Sequence, residues 1–196
     1  MSAGRPFIAE TESIALDQSN TRVNFGISWL GGMRVSGSFE HAHGRLSIPG
    51  PALETATISV DVEAASVRTG ITLRDKHLRG GDFLDVARHP LISFRSDDVR
   101  RRDGLLLVSG TLQLRGIERR VTAECELNTG VPSGSTVVAL SARFRVSRRA
   151  HDVGAPRGAR KLDPLFVVIG DDVLITTEVL VPAGHFLPRM LPALGR

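Results

Sequence analysis

Four groups of side chains in this sequence could do chemistry, and each has a structural alternative. Arg74, Asp75 and His77 lie close together in the chain. A guanidinium or imidazole in such a cluster could hold a phosphate or quinone oxygen by charge-assisted hydrogen bonds. Read structurally, Asp75 caps a helix and Arg74 pairs locally. His41 and His43 would share one side of an extended segment, as a metal pair requires, yet no third ligand is evident and Gly44 favours a turn. His151 and Asp152 could form a base and its orienting partner, but no nucleophile of recognisable context lies nearby. Cys125, the single cysteine, falls on the apolar face of its segment, which suits packing better than reactivity. Gly31-Gly32 and Gly80-Gly81 lack the strand-to-helix frame of a phosphate loop. These residues therefore predict no catalytic set, no metal and no nucleotide site.

The elements that must position them are strands. Val23, Phe25, Ile27 and Trp29 alternate with polar residues, as do Val35 with Phe39, Ile58 with Val60 and Val62, and Ile92 with Phe94. The same period continues through Leu106–Leu114, Ile117–Leu127, Val138–Val146 and Val173–Val179. That makes about eight strands with one apolar and one polar face, a pattern of antiparallel rather than parallel sheets. Arg115 and Gly116 mark a tight hairpin. Eight such strands can close into a barrel, which removes exposed edges; a two-sheet sandwich would show the same alternation. Thr72 and Asp75 have capping-box spacing, and Gly80-Gly81 supplies a stop, so a short helical insertion is expected between strands three and four. Residues 12–181 form the expected domain, with an N-terminal extension at 1–11 and a C-terminal tail at 182–196.

At 196 residues the chain suits one domain, and its 41% hydrophobic and 23% charged content is that of an ordinary globular protein. One cysteine permits no intrachain disulfide and fits a reducing compartment. The first residues contain no apolar core of secretory-signal length, so a cytoplasmic location is expected. The basic clusters at Arg100 to Arg102, Arg119-Arg120, Arg148-Arg149 and 157–161 could attract nucleic acid or an anionic membrane, or simply be solvated. With 5% aromatic residues, most on inward faces, base stacking is disfavoured.

A barrel of this size either fills its interior with side chains or holds one ligand. The inward set includes small residues, Gly37, Gly110, Ala123, Cys125 and Ala142, and no evident charge on the strands. Phe25, Ile27, Trp29, Phe39, Ile58, Val60, Phe94, Phe144 and Ile175 would then line an apolar tunnel. A packed core of the same residues fits the pattern equally well.

The chain resembles the YceI family. Val23-Asn24-Phe25 through Val35-Ser36-Gly37-Ser38-Phe39 is similar to that family's opening pattern. Its most specific stretch follows: Ser66-Val67-Arg68-Thr69, Arg74-Asp75-Lys76-His77-Leu78, Asp82-Phe83-Leu84-Asp85-Val86 and Pro90-Leu91-Ile92-Ser93-Phe94, in family order and spacing. Gly110 to Gly116 resembles its later hairpin. The sequence departs from the family at Trp29, where many members carry histidine, and in the turn from Arg149 to Gly154. The resemblance implies a lipocalin-like barrel with a long tunnel that binds a polyisoprenoid or isoprenoid-quinone-like lipid; joined to the eight-strand reading, the leading expectation is an all-β barrel that binds such a lipid without catalysis or cofactor. Arg74 and His77 become candidates for its head group. Nucleic acid is not an expected partner, while transient membrane contact and a homodimer stay open. Alternatives are an enzyme acting on an amphipathic isoprenoid or quinone-like substrate, and a module binding an anionic surface.

Overall fold

Strand alternation in the sequence becomes a single sheet. The computed structural model describes residues 12–29, 33–50, 52–128, 137–154 and 169–182. The expected extension at 1–11, most of the tail, Gly31-Gly32 and the basic segment 157–161 lie outside them. Eleven strands run antiparallel: β1 (Glu12–Leu16), β2 (Thr21–Trp29), β3 (Arg34–Phe39), β4 (Ala42–Ile48), β5 (Thr57–Glu63), β6 (Val67–Arg68), β7 (Leu91–Arg102), β8 (Leu105–Leu114), β9 (Ile117–Asn128), β10 (Val137–Ser147) and β11 (Ile169–Pro182). One helix, α1 (Thr72–Arg79), stands between β6 and β7.

The sheet order is β1-β4-β5-β7-β8-β9-β10-β11-β2-β3-β6. Its connections require the sheet to curl. Strands β3 and β4 are joined by Glu40 and His41 alone, yet eight steps separate them in the order. Laid flat, those steps would span roughly 38 Å at about 4.8 Å per strand, whereas such a link reaches only about 10 Å. The two ends of the sheet must therefore meet. At the link, Glu40 N–H donates to Ser66 O at 3.2 Å, continuing the β3–β6 ladder, Glu63 N–H donates to His41 O at 3.0 Å, continuing the β4–β5 ladder, and His41 N–H donates to Ser66 Oγ at 3.2 Å, joining the two ends. The architecture is thus an all-β, curled, barrel-like sheet.

Two expectations need correction. Among the described residues the strands number eleven, not eight, because the alternation did not show β1, β4 and β6; α1 accordingly follows the sixth strand rather than the third. Strand β4 takes in His43 and Gly44 of the expected turn, and Gly44 at an inward position interrupts the apolar period of Ala42, Leu46 and Ile48. β6 is too short to show any period. The helix start also differs. Ile71 is the N-cap, with no side-chain cap, and Thr72 is already helical. Asp75 instead accepts hydrogen bonds from the backbone N–H and hydroxyl of Thr69. Gly80 ends the helix as expected.

The β8–β9 hairpin turns on Arg115 and Gly116, both at positive φ (52° and 71°), the twist that two-residue hairpins need. Buried clusters organise the interior. Leu16, Leu46, Ile48, Leu53, Val138, Val179 and Val181 pack together and fill one end. The opposite end, where Trp29 pairs with Ile169 and Ser147 with Asp172, is covered by the segment around α1.

Candidate functional site

Between the packed end and the α1 end lies a cavity of about 440 Å³, within the roughly 300–1,000 Å³ typical of ligand sites. Because side chains alternate across a strand, each strand sends every second residue to this wall. The structure places all nine of the aromatic and aliphatic residues singled out in the sequence on it: Phe25, Ile27 and Trp29 from β2, Phe39 from β3, Ile58 and Val60 from β5, Phe94 from β7, Phe144 from β10, and Ile175 from β11. Phe25 and Phe39 meet with ring centroids 5.6 Å apart. Gly37 makes room for that pair, since a Cβ there would come within 2.5 Å of the Phe25 ring. The small residues Ala123, Cys125 and Ala142 also face the space and leave it open. Burial pushes the Cys125 thiol up to about 12, so it stays protonated and inert.

The α1 end is built from hydrogen bonds to backbone carbonyls. Arg74 donates from Nε to Thr69 Oγ1 at 2.7 Å and from Nη2 to Thr69 O at 2.8 Å, which holds its guanidinium at the wall. Asp75 is buried, and the Thr69 hydroxyl bond above all holds its carboxyl below the usual range. Arg79 ties α1 to the Ala65 and Val67 carbonyls. His77 faces the cavity and stands edge-on to Phe83, with centroids 5.0 Å apart.

Two buried arginines complete this end. Arg115 donates to Phe83 O and Asp152 O, both at 2.6 Å, and to Gly81 O at 3.1 Å. Arg148, only 3% exposed, donates to Gly170 O, Ile169 O, Val153 O and Gly154 O. Burial lowers its pKa, Arg149 adds to that, and Asp171 opposes it. Arg148 also reaches the cavity wall. In the sequence it was grouped with a basic surface cluster; its burial corrects that placement. The signal was present, because position 148 continues the inward parity of Ala142, Phe144 and Val146. Nothing in the sequence marked Arg115 beyond its turn.

Polar groups on the described wall are few: Arg74, His77, Ser93, Arg148 and Thr177, with no carboxylate among them. The site is therefore an apolar chamber with a cationic end. Other candidates lie elsewhere. His41 pairs with Glu63 at 3.0 Å on the exterior, and among the described residues no group of three or more metal-type ligands occurs. His151 is buried and does not pair with Asp152. Its Nδ1 lies 3.0 Å from Ser147 O, and Nε2 has no hydrogen-bond partner among the described residues. Among the same residues no helix is long and apolar enough to cross a membrane.

A curled antiparallel sheet around one apolar chamber, closed at one end by a short helical insert, defines a barrel-like all-β class. Within that class, the YceI-like domain model matches residues 15–181, and the chain belongs to the YceI family. Protein YceI of Escherichia coli O6:H1 is 33% identical over 120 residues, covering 61% of this chain and 63% of that protein. A UPF0312 protein of Ectopseudomonas mendocina is 37% identical over 100 residues, covering 50% and 52%. The chain thus spans less than two thirds of the curated relatives it matches. Among solved structures, Burkholderia cenocepacia BcnA superposes with a TM-score of 0.72 at 17% identity, covering 85% of this chain and 99% of that one. A polyisoprenoid binding domain from Saccharophagus degradans, implicated in plant cell wall breakdown, gives 0.64 at 16% identity, covering 88% and 99%. At these identities the likeness is one of fold.

Proposed function

We propose that this chain binds a long-chain isoprenoid or similar apolar lipid inside its lipocalin-like barrel, as a non-enzymatic carrier or store. The observation that carries the reading is the chamber itself: about 440 Å³, walled almost wholly by apolar side chains. The nine wall residues from Phe25 to Ile175 contact the lipid chain, and Arg74 and His77 hold its polar end. The solved polyisoprenoid binding domain with the same fold supports the ligand class.

The energy scale suffices. Each five-carbon unit taken from water contributes up to about 4 kcal/mol, at about 0.8 per methylene-sized group. Micromolar affinity needs about 8 kcal/mol, so a few enclosed units meet it even after binding costs. Catalysis draws no support from the Arg74, Asp75 and His77 cluster, since Asp75 is engaged by Thr69.

Trp29 provides the test. It is the single tryptophan and it lies on the chamber wall. Titration with a polyprenyl alcohol is expected to change its emission saturably at one ligand per chain. An unchanged spectrum, with no ligand retained on gel filtration, would refute the proposal.

A further inference from the structure

The barrel end that carries α1 also carries a sorted outer surface. Among the described residues four large apolar side chains are exposed: Met33 (65%), Ile71 (53%), Leu73 (78%) and Leu91 (41%). Scattered singly, such residues need no explanation. These are not scattered. Met33 closes the β2–β3 turn, where its carbonyl accepts the Trp29 N–H at 2.7 Å. Ile71 and Leu73 begin α1, whose Arg74 and His77 reach the chamber. Leu91 opens β7 opposite Glu63. Met33 adjoins Trp29, which meets Ile169 at this end; Ile71 and Leu73 begin the helix that covers it, and Leu91 starts β7 beside the β8–β9 hairpin whose Arg115 bonds into the same insert.

Charge on this surface is sorted as well. Two of the insert's three acids turn inward, Asp75 at 3% exposed against Thr69 and Asp85 at 9% exposed beside Arg115 and Arg88, while Asp82 is half-buried. Beside the four apolar residues in the chain the exposed charges are Arg34, Lys76 and Arg88, whereas the exposed acids Glu118, Asp152 and Asp172 stand on the β9–β11 side of this end. Nearby, Glu40 pairs with Arg68 and Glu63 lies 3.0 Å from His41 Nδ1. On α1, Leu73 and Lys76 fall at i and i+3 and share one exposed face, beside the Arg74, His77 and Leu78 face that turns to the chamber. Apolar side chains interleaved with cations suit the boundary between headgroups and acyl chains, and the cations favour anionic lipid.

We infer that this end of the barrel docks on an anionic bilayer surface. Met33, Ile71 and Leu73 enter the acyl boundary, while Arg34, Lys76 and Arg88 meet lipid phosphates. The purpose of the docking rests on the lipid-binding reading: it sets the cationic end of the chamber against the membrane from which an apolar ligand is drawn. The surface itself stands on exposure and charge alone.

The test is co-sedimentation of the full chain with vesicles of phosphatidylglycerol and phosphatidylcholine, and of phosphatidylcholine alone. Binding is expected for the anionic vesicles, weakening with salt as charges are screened. The double variant Met33→Asp, Leu73→Asp should partition roughly tenfold less, since both residues are exposed and their loss removes apolar insertion. Lys76→Glu should weaken binding to anionic vesicles only. Equal binding by the double variant, or no binding to either vesicle, would overturn the inference. A double variant that turns a dimer into a monomer without changing vesicle binding would assign the patch to contact between copies, and overturns it also. The Trp29 titration separates the two readings. Docking lost in the variant with normal lipid uptake supports the surface assignment, whereas docking retained by a protein that takes up no lipid supports the surface and sinks the carrier.

Discussion

Replacing Arg115 with methionine tests how the chamber is closed. The guanidinium is buried, with its side chain 2% exposed, and it binds the carbonyls of Gly81, Phe83 and Asp152. Methionine keeps the length and leaves the backbone turn unchanged but offers no donor. Hydrogen bonds from a charged donor contribute about 1.5–3 kcal/mol each, and a buried carbonyl left unpaired costs about 1–3. The three are not additive, because water can reach some of them once the arginine is gone; a net loss of about 3–5 kcal/mol follows, against a total stability of about 5–15. For a chain of this size that lowers Tm by roughly 6–20 °C. Circular dichroism melting gives the magnitude, and hydrogen exchange gives the place: protection should fall first at 80–86 and 148–154. A Tm within about 2 °C of the parent would refute the reasoning, and would mean that burial of Phe83 and Leu84 holds the insert without the arginine.

Phe144→Arg places a charge on the chamber wall opposite Ile175; it is expected to abolish lipid retention while the far-ultraviolet spectrum stays that of a β-sheet, and retained lipid would contradict the wall assignment. With its thiol at about 12, Cys125 is expected to resist alkylation in the folded state, since only roughly one molecule in 10⁴ carries a thiolate at pH 8; rapid labelling without denaturant would refute its burial. The carboxyl of Asp75 is held below its ordinary range when folded, so its stabilising bond to Thr69 is present above the unfolded carboxylate value and is lost as pH falls through the folded one. Urea melts of Asp75→Asn and the parent should therefore differ at pH 7 and converge below about pH 4; a gap independent of pH would assign the effect to packing.

Much of the site was legible because a barrel wall is a parity pattern. Once Phe25, Ile27 and Trp29 share a face, their side chains must meet those of Phe39, Phe94 and Phe144 when the sheet curls. The pattern could not tell a filled interior from a hollow one, since that depends on strand tilt and on space left by small residues such as Gly37 and Ala142. Strand β4 escaped because Gly44 removes an inward side chain in the middle of its run. The two buried arginines escaped for a different reason. Their partners are backbone carbonyls, from Gly81 to Ile169, and carbonyls leave no mark in a sequence. Arg148 was read as part of a basic surface cluster and Arg115 only as a turn residue, whereas both are anchors. Capping misled similarly: Thr72 and Asp75 have the spacing of a capping box, but a better-placed donor, Thr69, takes the carboxylate.

The central claim, that the chamber holds an apolar lipid, is tested most directly by native mass spectrometry of the purified chain followed by organic extraction. The account predicts a mass excess of one long-chain lipid per protein, released on extraction and identified as isoprenoid or similarly apolar, and reloaded when the stripped protein is given a polyprenyl lipid. A protein that arrives empty and stays empty with added polyprenyl lipids would contradict it.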